Sequence, residues 1–119
     1  HWNSGREYDG GNSGYRPREN QDKGFSHVHE WQLSGIQVMP TNGDPVSKTQ
    51  GESGWQSPVD HSKGELAEPG YHRLRLDRYG IGAELTATDR VGLHRYRFGR
   101  TAPAEVIVNL GGVSRDRAA

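Results

Sequence analysis

The chain has 119 residues, with fifteen Lys and Arg against fifteen Asp and Glu, and no cysteine. The charge balance removes the cationic footprint of a general nucleic-acid or anionic-membrane binder, and the missing cysteines exclude disulfides, thiolate catalysis and cysteine-ligated zinc. Seventeen glycines and a mean hydropathy of −0.97 describe many turns around a small strand core, whose limited burial offsets little backbone entropy.

Residues 1–23 carry the turn pairs Asp9-Gly10, Gly10-Gly11 and Ser13-Gly14, with Pro17 after them, which predict irregular backbone. Trp2, Tyr8 and Tyr15 are its apolar anchors, and no aliphatic side chain occurs before Phe25. The segment is either a loose end or a loop pinned by its aromatics beside a site.

The stretch GFSHVHEWQLSG, residues 24–35, places two histidines, a glutamate and a tryptophan between glycines. If Phe25 to Trp31 is a strand, period two sets Phe25, His27, His29 and Trp31 on one side and Ser26, Val28 and Glu30 on the other. His27, His29, Glu30 and Trp31 together offer donors, acceptors and an aromatic face, the set that grips a polar ligand. The bland alternative is a core tryptophan with histidines bracing strand ends. A transition-metal site completed by Glu30 or His61 would use the same spacing but lacks a fixed partner.

Ile36 to Met39 reads as a short strand stopped by Pro40, followed by a turn at Thr41-Asn42-Gly43-Asp44-Pro45, where Asn-Gly supplies the positive φ. Residues 46–68 read as a polar connector within a long loop spanning 41–70; Trp55 and His61 stand out in it. A loop so long is expected to be functional or to carry structure of its own.

From Tyr71 the period becomes two. Leu74 and Leu76 alternate with Arg73 and Arg75; after a turn at Asp77 to Gly80, Ile81, Ala83, Leu85 and Ala87 alternate with polar residues or glycine. A second turn at Thr88 to Arg90 leads to a strand from Val91 to Phe98, and Glu105 to Leu110 is apolar on both faces, which predicts a buried strand. Seven arginines lie between Arg73 and Arg100. Arg73 with Arg75, and Arg95 with Arg97, share strand phase, so they predict a solvated face or a dock for another domain rather than a nucleic-acid groove. The fold class is all-β, an antiparallel β-sandwich.

The order GFSHVH, VMPTNG, SPVDH with Glu65, PGYHRLRLDRYGIGAELTATDRVGLHRYRF and EVIVNLGG resembles the N-terminal β-sandwich of glycoside hydrolase family 92, in register from Gly24 to Gly111. Members are mainly calcium-dependent exo-α-mannosidases, frequently α-1,2-specific. The resemblance implies that this chain is part of an N-terminal domain, with 1–23 irregular and 24–119 strand-rich. The family's leading Gly- and Pro-rich stretch and its (α/α) barrel are missing from the sequence, and it does not start with Met, so it is expected to be a fragment of a longer enzyme. No apolar run approaches the ~20 residues of a membrane span, and the start is not a signal peptide; the resemblance implies a secreted or periplasmic bacterial enzyme.

By the same resemblance the full enzyme inverts configuration with an acid and a base separated by roughly 6.5–9.5 Å. Both belong to the missing C-terminal catalytic barrel, as do most calcium ligands, so no catalytic or metal-ligating residue is assigned here. This piece, inert alone, is expected to supply a wall of the pocket for a terminal mannose of a glycan through His27, His29, Glu30 and Trp31. Where many members continue GFSH with Thr-His-Leu-Ser-Gly-Thr-Gly, this sequence has Val28-His29-Glu30-Trp31-Gln32-Leu33-Ser34-Gly35, so linkage preference is expected to differ. The alternative is a free-standing carbohydrate-binding β-sandwich. Nucleic acid and membrane are not expected partners.

Overall fold

A computed structural model describes residues 20–22, 24–26, 37–43, 55–100 and 103–109. These form nine strands: β1 Gln21–Asp22, β2 Phe25–Ser26, β3 Gln37–Asn42, β4 Ser57–Pro58, β5 Leu66–Glu68, β6 Tyr71–Leu76, β7 Ile81–Ala87, β8 Gly92–Arg97 and β9 Ala104–Asn109. The described part is all-β, with every pairing antiparallel.

The C-terminal meander follows its sequence pattern closely. Strands β5-β6-β7-β8 form a four-stranded sheet in chain order. Period two sends Leu74, Leu76, Ile81, Ala83 and Leu85 inward, where each is buried, while Arg73, Arg75, Arg95 and Arg97 stay on the outside. Burying one such aliphatic side chain contributes about 1.5–3 kcal/mol. Gly80, at φ 64°, gives the β6–β7 turn the left-handed residue it needs.

The second sheet has the order β2-β3-β9. Phe25 and Met39 from it join the inward residues of the meander, with Val59 and Tyr79, in one buried core. This contact between the two sheets gives a sandwich.

Three local expectations are corrected here. Strand β3 does not stop at Pro40 but pairs with β9 throughout, from Gln37 opposite Asn109 to Asn42 opposite Ala104. Proline is tolerated because β2 pairs only with Gln37 and Val38, so among the described residues β3 has no neighbour on that side at Pro40. Strand β9 is not buried on both faces: Val106 and Val108 are 47% and 51% exposed. Glu105 and Ile107 are half-buried and alternate with these two, so the strand turns one face inward and the other to solvent.

The third correction concerns the segments read as irregular. Gln21 and Asp22 pair with Pro58 and Ser57, and the backbone N–H of Val59 donates to the carbonyl of Asn20 at 2.9 Å. The long connector therefore holds two short strands, β4 and β5, with the turn of residues 61–64 between them. Tyr79 fastens it to the core, donating its hydroxyl to the carbonyl of Trp55 at 2.6 Å. The Asn-Gly turn keeps its predicted feature, Gly43 having φ 78°, and the Asn42 side-chain amide donates to the carbonyl of Tyr79.

Candidate functional site

His27, His29, Glu30 and Trp31, the four residues singled out by sequence, lie outside the described residues. The structure instead describes the ground on which that stretch begins. Asp22 is fully buried and its Oδ1 accepts the backbone N–H of Gly24 at 2.9 Å. Gly24 has φ 133°, and a Cβ there would stand 3.3 Å from the carbonyl oxygen of Val38. Both the backbone conformation and the close approach to β3 call for glycine at this position. The chain then enters β2, and Phe25 is driven wholly into the core.

Phe25 rests on two polar aromatics of β8. Its ring stacks on Tyr96 with centroids 6.3 Å apart and meets the edge of His94 at 5.9 Å. The hydroxyl of Tyr96 and Nδ1 of His94 are hydrogen-bonded at 2.7 Å. Burial, aided by the nearby negative charge of Asp22, pushes the Tyr96 phenol well above its usual range, so it stays protonated. A neutral hydroxyl can donate and accept together, the property needed for a polar ligand.

A second polar group lies along the same inner face. The register places His72 of β6 opposite Leu85 of β7, and Leu85 opposite His94 of β8. His72 Nε2 meets Glu65 Oε1 at 2.9 Å, and His61 Nδ1 meets Glu65 Oε2 at 2.5 Å. The Glu65 side chain is only 5% exposed, whereas both imidazoles keep an accessible edge. One carboxylate thus orients two histidines, through the turn at 61–64 and the β5–β6 pairing. Leu85 separates this bridge from the His94 and Tyr96 pair.

All four residues, His61, Glu65, His72 and His94, stand in the segments that suggested the family resemblance, but apart from His61 as a candidate metal partner none was singled out as a site candidate. The signal was in the strand phase. His72 falls in step with Leu74 and Leu76, and His94 with Tyr96 and Phe98, so each is a polar ring on an otherwise apolar face.

The donor set does not suit calcium. That ion takes six to eight oxygens, while the bridge offers one carboxylate between two imidazoles, and no cluster of three or more His, Asp or Glu among the described residues is arranged to hold a metal. No chemical step is therefore derived through calcium in this part of the molecule.

These features define an antiparallel β-sandwich with a polar inner end. Residues 3–118 match the family described as glycosyl hydrolase family 92 N-terminal domain, and the chain belongs to that family. Two solved structures of the family GH92 α-mannosidase BT3965 from Bacteroides thetaiotaomicron, one in complex with mannoimidazole, resemble it with TM-scores of 0.70 and 0.71 at 28% identity. Each likeness covers 81% of this chain and 14% of the mannosidase chain. No curated protein matches the sequence.

Proposed function

We propose that this chain is the pocket-forming N-terminal segment of an exported, inverting exo-α-mannosidase, of α-1,2 type, that removes terminal mannose from glycans. The match to the family's N-terminal domain over nearly the whole chain is the observation that carries the reading. The segment is inert alone, and the catalytic acid and base belong to a C-terminal barrel domain with which it acts. Calcium belongs to the proposal through ligands outside the described residues.

The inner end of the sandwich gives this reading its chemistry. A terminal mannose presents hydroxyls that need paired donors and acceptors and a C–H face that suits an aromatic ring. In the sequence His27, His29, Glu30 and Trp31 come after Phe25 and Ser26, and Phe25 is seated on His94 and Tyr96. We read these four residues as working together with the fixed polar groups at His94 and Tyr96. Their role is to position sugar, since bond cleavage needs a separate acid and base.

The test is made in the full-length enzyme with an α-1,2-linked mannobioside. Proton NMR of the first product formed should show β-mannose; α-mannose would overturn inversion, and no hydrolysis of any α-mannoside would overturn the assignment. Chelation should abolish turnover and added calcium restore it. Trp31→Ala and Glu30→Gln should each lower kcat/KM by more than ~0.5 kcal/mol of transition-state stabilisation. Smaller losses for both would remove those residues from the pocket wall.

A further inference from the structure

The outer face of the meander carries a charge pattern that the pocket does not use. Across β6, β7 and β8 the register forms two neighbouring rows: Arg73, Glu84, Arg95 and, beside it, Arg75, Gly82, Arg97. In the first row the middle residue is a carboxylate. Glu84 accepts both prongs of the Arg95 guanidinium, at 2.6 and 2.7 Å, and the Tyr71 hydroxyl at 2.7 Å. In the second row the middle residue has no side chain.

Among the described residues nothing requires glycine at 82. Its φ is not in the left-handed region, and a Cβ there would come no nearer than 3.8 Å to the Cβ of Arg97, an ordinary contact. Glycine in a strand interior often marks a bulge, a bend or a site where a ligand or another backbone approaches closely; β7 pairs without a break in register on both sides of Gly82, which favours close approach by another group. An open cleft of about 230 Å³ lies over it, lined by Gly64, Arg73, Arg75, Gly82, Glu84 and Arg97. Arg75 reaches Asp77 only at 3.9 Å and Arg97 reaches Glu84 only at 3.6 Å, and their side chains are 62% and 71% exposed. Arg73 is held across the cleft by donating from Nε to the carbonyl of Gly64.

An apolar hollow of about 180 Å³ adjoins the cleft along the strands, with Tyr71, Thr86 and Leu93 in its wall. Leu93 is 62% exposed. Exposed arginines hold a free anion weakly because water screens them, so the pattern gains strength only when a covering surface excludes water. Arginine and aromatic side chains beside an apolar hollow are the composition of a protein interface.

We propose that the outer face of β6, β7 and β8 is a docking surface for a polypeptide partner. The partner presents an Asp or Glu carboxylate over Gly82, between Arg75 and Arg97, and an aliphatic side chain beside Tyr71 and Leu93. The two rows of contact, at Gly82 and Thr86, are four residues apart on β7, so the two partner side chains stand about 13 Å apart. The incoming carboxylate repeats in the second row what Glu84 does in the first.

The test is a titration of the 15N-labelled full protein with the peptide acetyl-Leu-Ser-Thr-Ser-Glu-amide, its Gln-terminated counterpart, and sodium acetate. The Glu peptide should shift the Gly82 amide and the Nε–H signals of Arg75 and Arg97 saturably, and bind roughly tenfold more tightly than the Gln peptide. Arg97→Gln, at a highly exposed position, should lose most of that preference, and Gly82→Glu, which fills the slot with the chain's own carboxylate, should abolish it. Equal binding of the two peptides, an unaffected Arg97→Gln variant, or no shift by roughly 5 mM Glu peptide overturns the proposal. Acetate binding as tightly as the Glu peptide overturns the polypeptide as occupant.

Discussion

Phe25 stacks on Tyr96 with ring planes 21° apart, so the residue that begins β2, two positions before His27, is fixed to the opposite sheet. Phe25 is fully buried between the sheets. Phe25→Ala should cost about 3–5 kcal/mol, the range for emptying a buried aromatic site. Denaturant unfolding of the full protein measures it. A loss below ~1 kcal/mol would mean that the two sheets are not held together at this point.

The Glu65 bridge fixes tautomers. An ionised carboxylate only accepts hydrogen bonds, so both imidazole nitrogens that face it must carry protons: Nδ1 of His61 and Nε2 of His72. Long-range 1H–15N NMR at pH 8 should find His61 in the Nδ1–H form and His72 in the Nε2–H form. The two imidazoles meet different oxygens of Glu65; in Glu65→Gln one of these positions becomes an NH2 donor, which cannot accept an N–H, so at least one imidazole should turn over or change tautomer. Unchanged spectra in that variant would show that the carboxylate does not orient the rings.

How far the sequence disclosed this architecture depends on the range of the interactions. The β6 to β8 meander was legible because strict alternation and short turns make its pairing local, with Leu74 and Leu76 separated from Ile81 by one turn. Pairing of β3 with β9 joins residues almost seventy positions apart, and neither Pro40 nor the apolar run at Val106 to Val108 announces its partner. The same holds for Gln21 and Asp22, whose partners Pro58 and Ser57 lie in a segment that reads as a connector. Of the candidate site, the four residues chosen by sequence fall outside the described part. His72 and His94 were hidden by rarity, since a single histidine in a hydrophobic phase is usually a satisfied core group and signals little until the register aligns two of them on either side of Leu85.

Glu84 should leave its mark on stability against pH. The Arg95 guanidinium first, and the Tyr71 hydroxyl second, hold its carboxyl down at about 2, below the usual 4.5. A carboxyl depressed in the folded state contributes stability that is fully present above about pH 4.5 and is lost as pH falls toward about 2. Asp60 behaves alike, held at about 2 by Lys63 and then Ser62. Glu84→Gln should therefore flatten the fall in Tm between these pH values without removing it, and the double variant with Asp60→Asn should flatten it further. An unchanged acid limb in the double variant would show that neither pair is formed in solution.

Gly82 offers a stability prediction that is independent of any partner. Glycine loses more conformational freedom on folding than other residues, a cost of roughly 0.5–1 kcal/mol against alanine inside a strand. Because the backbone at 82 is not left-handed and, among the described residues, the nearest atom to an added Cβ is 3.8 Å away, alanine fits without strain. Gly82→Ala should stabilise the protein by about 0.5–1 kcal/mol, read as a higher denaturation midpoint at unchanged slope. Such a gain would mean that the wild-type residue carries a cost that folding alone does not explain, as expected if the space above it serves contact. Destabilisation would instead show that the strand itself needs glycine there, through a close approach hidden in the resting geometry, and would remove the reason for treating the gap between Arg75 and Arg97 as a slot.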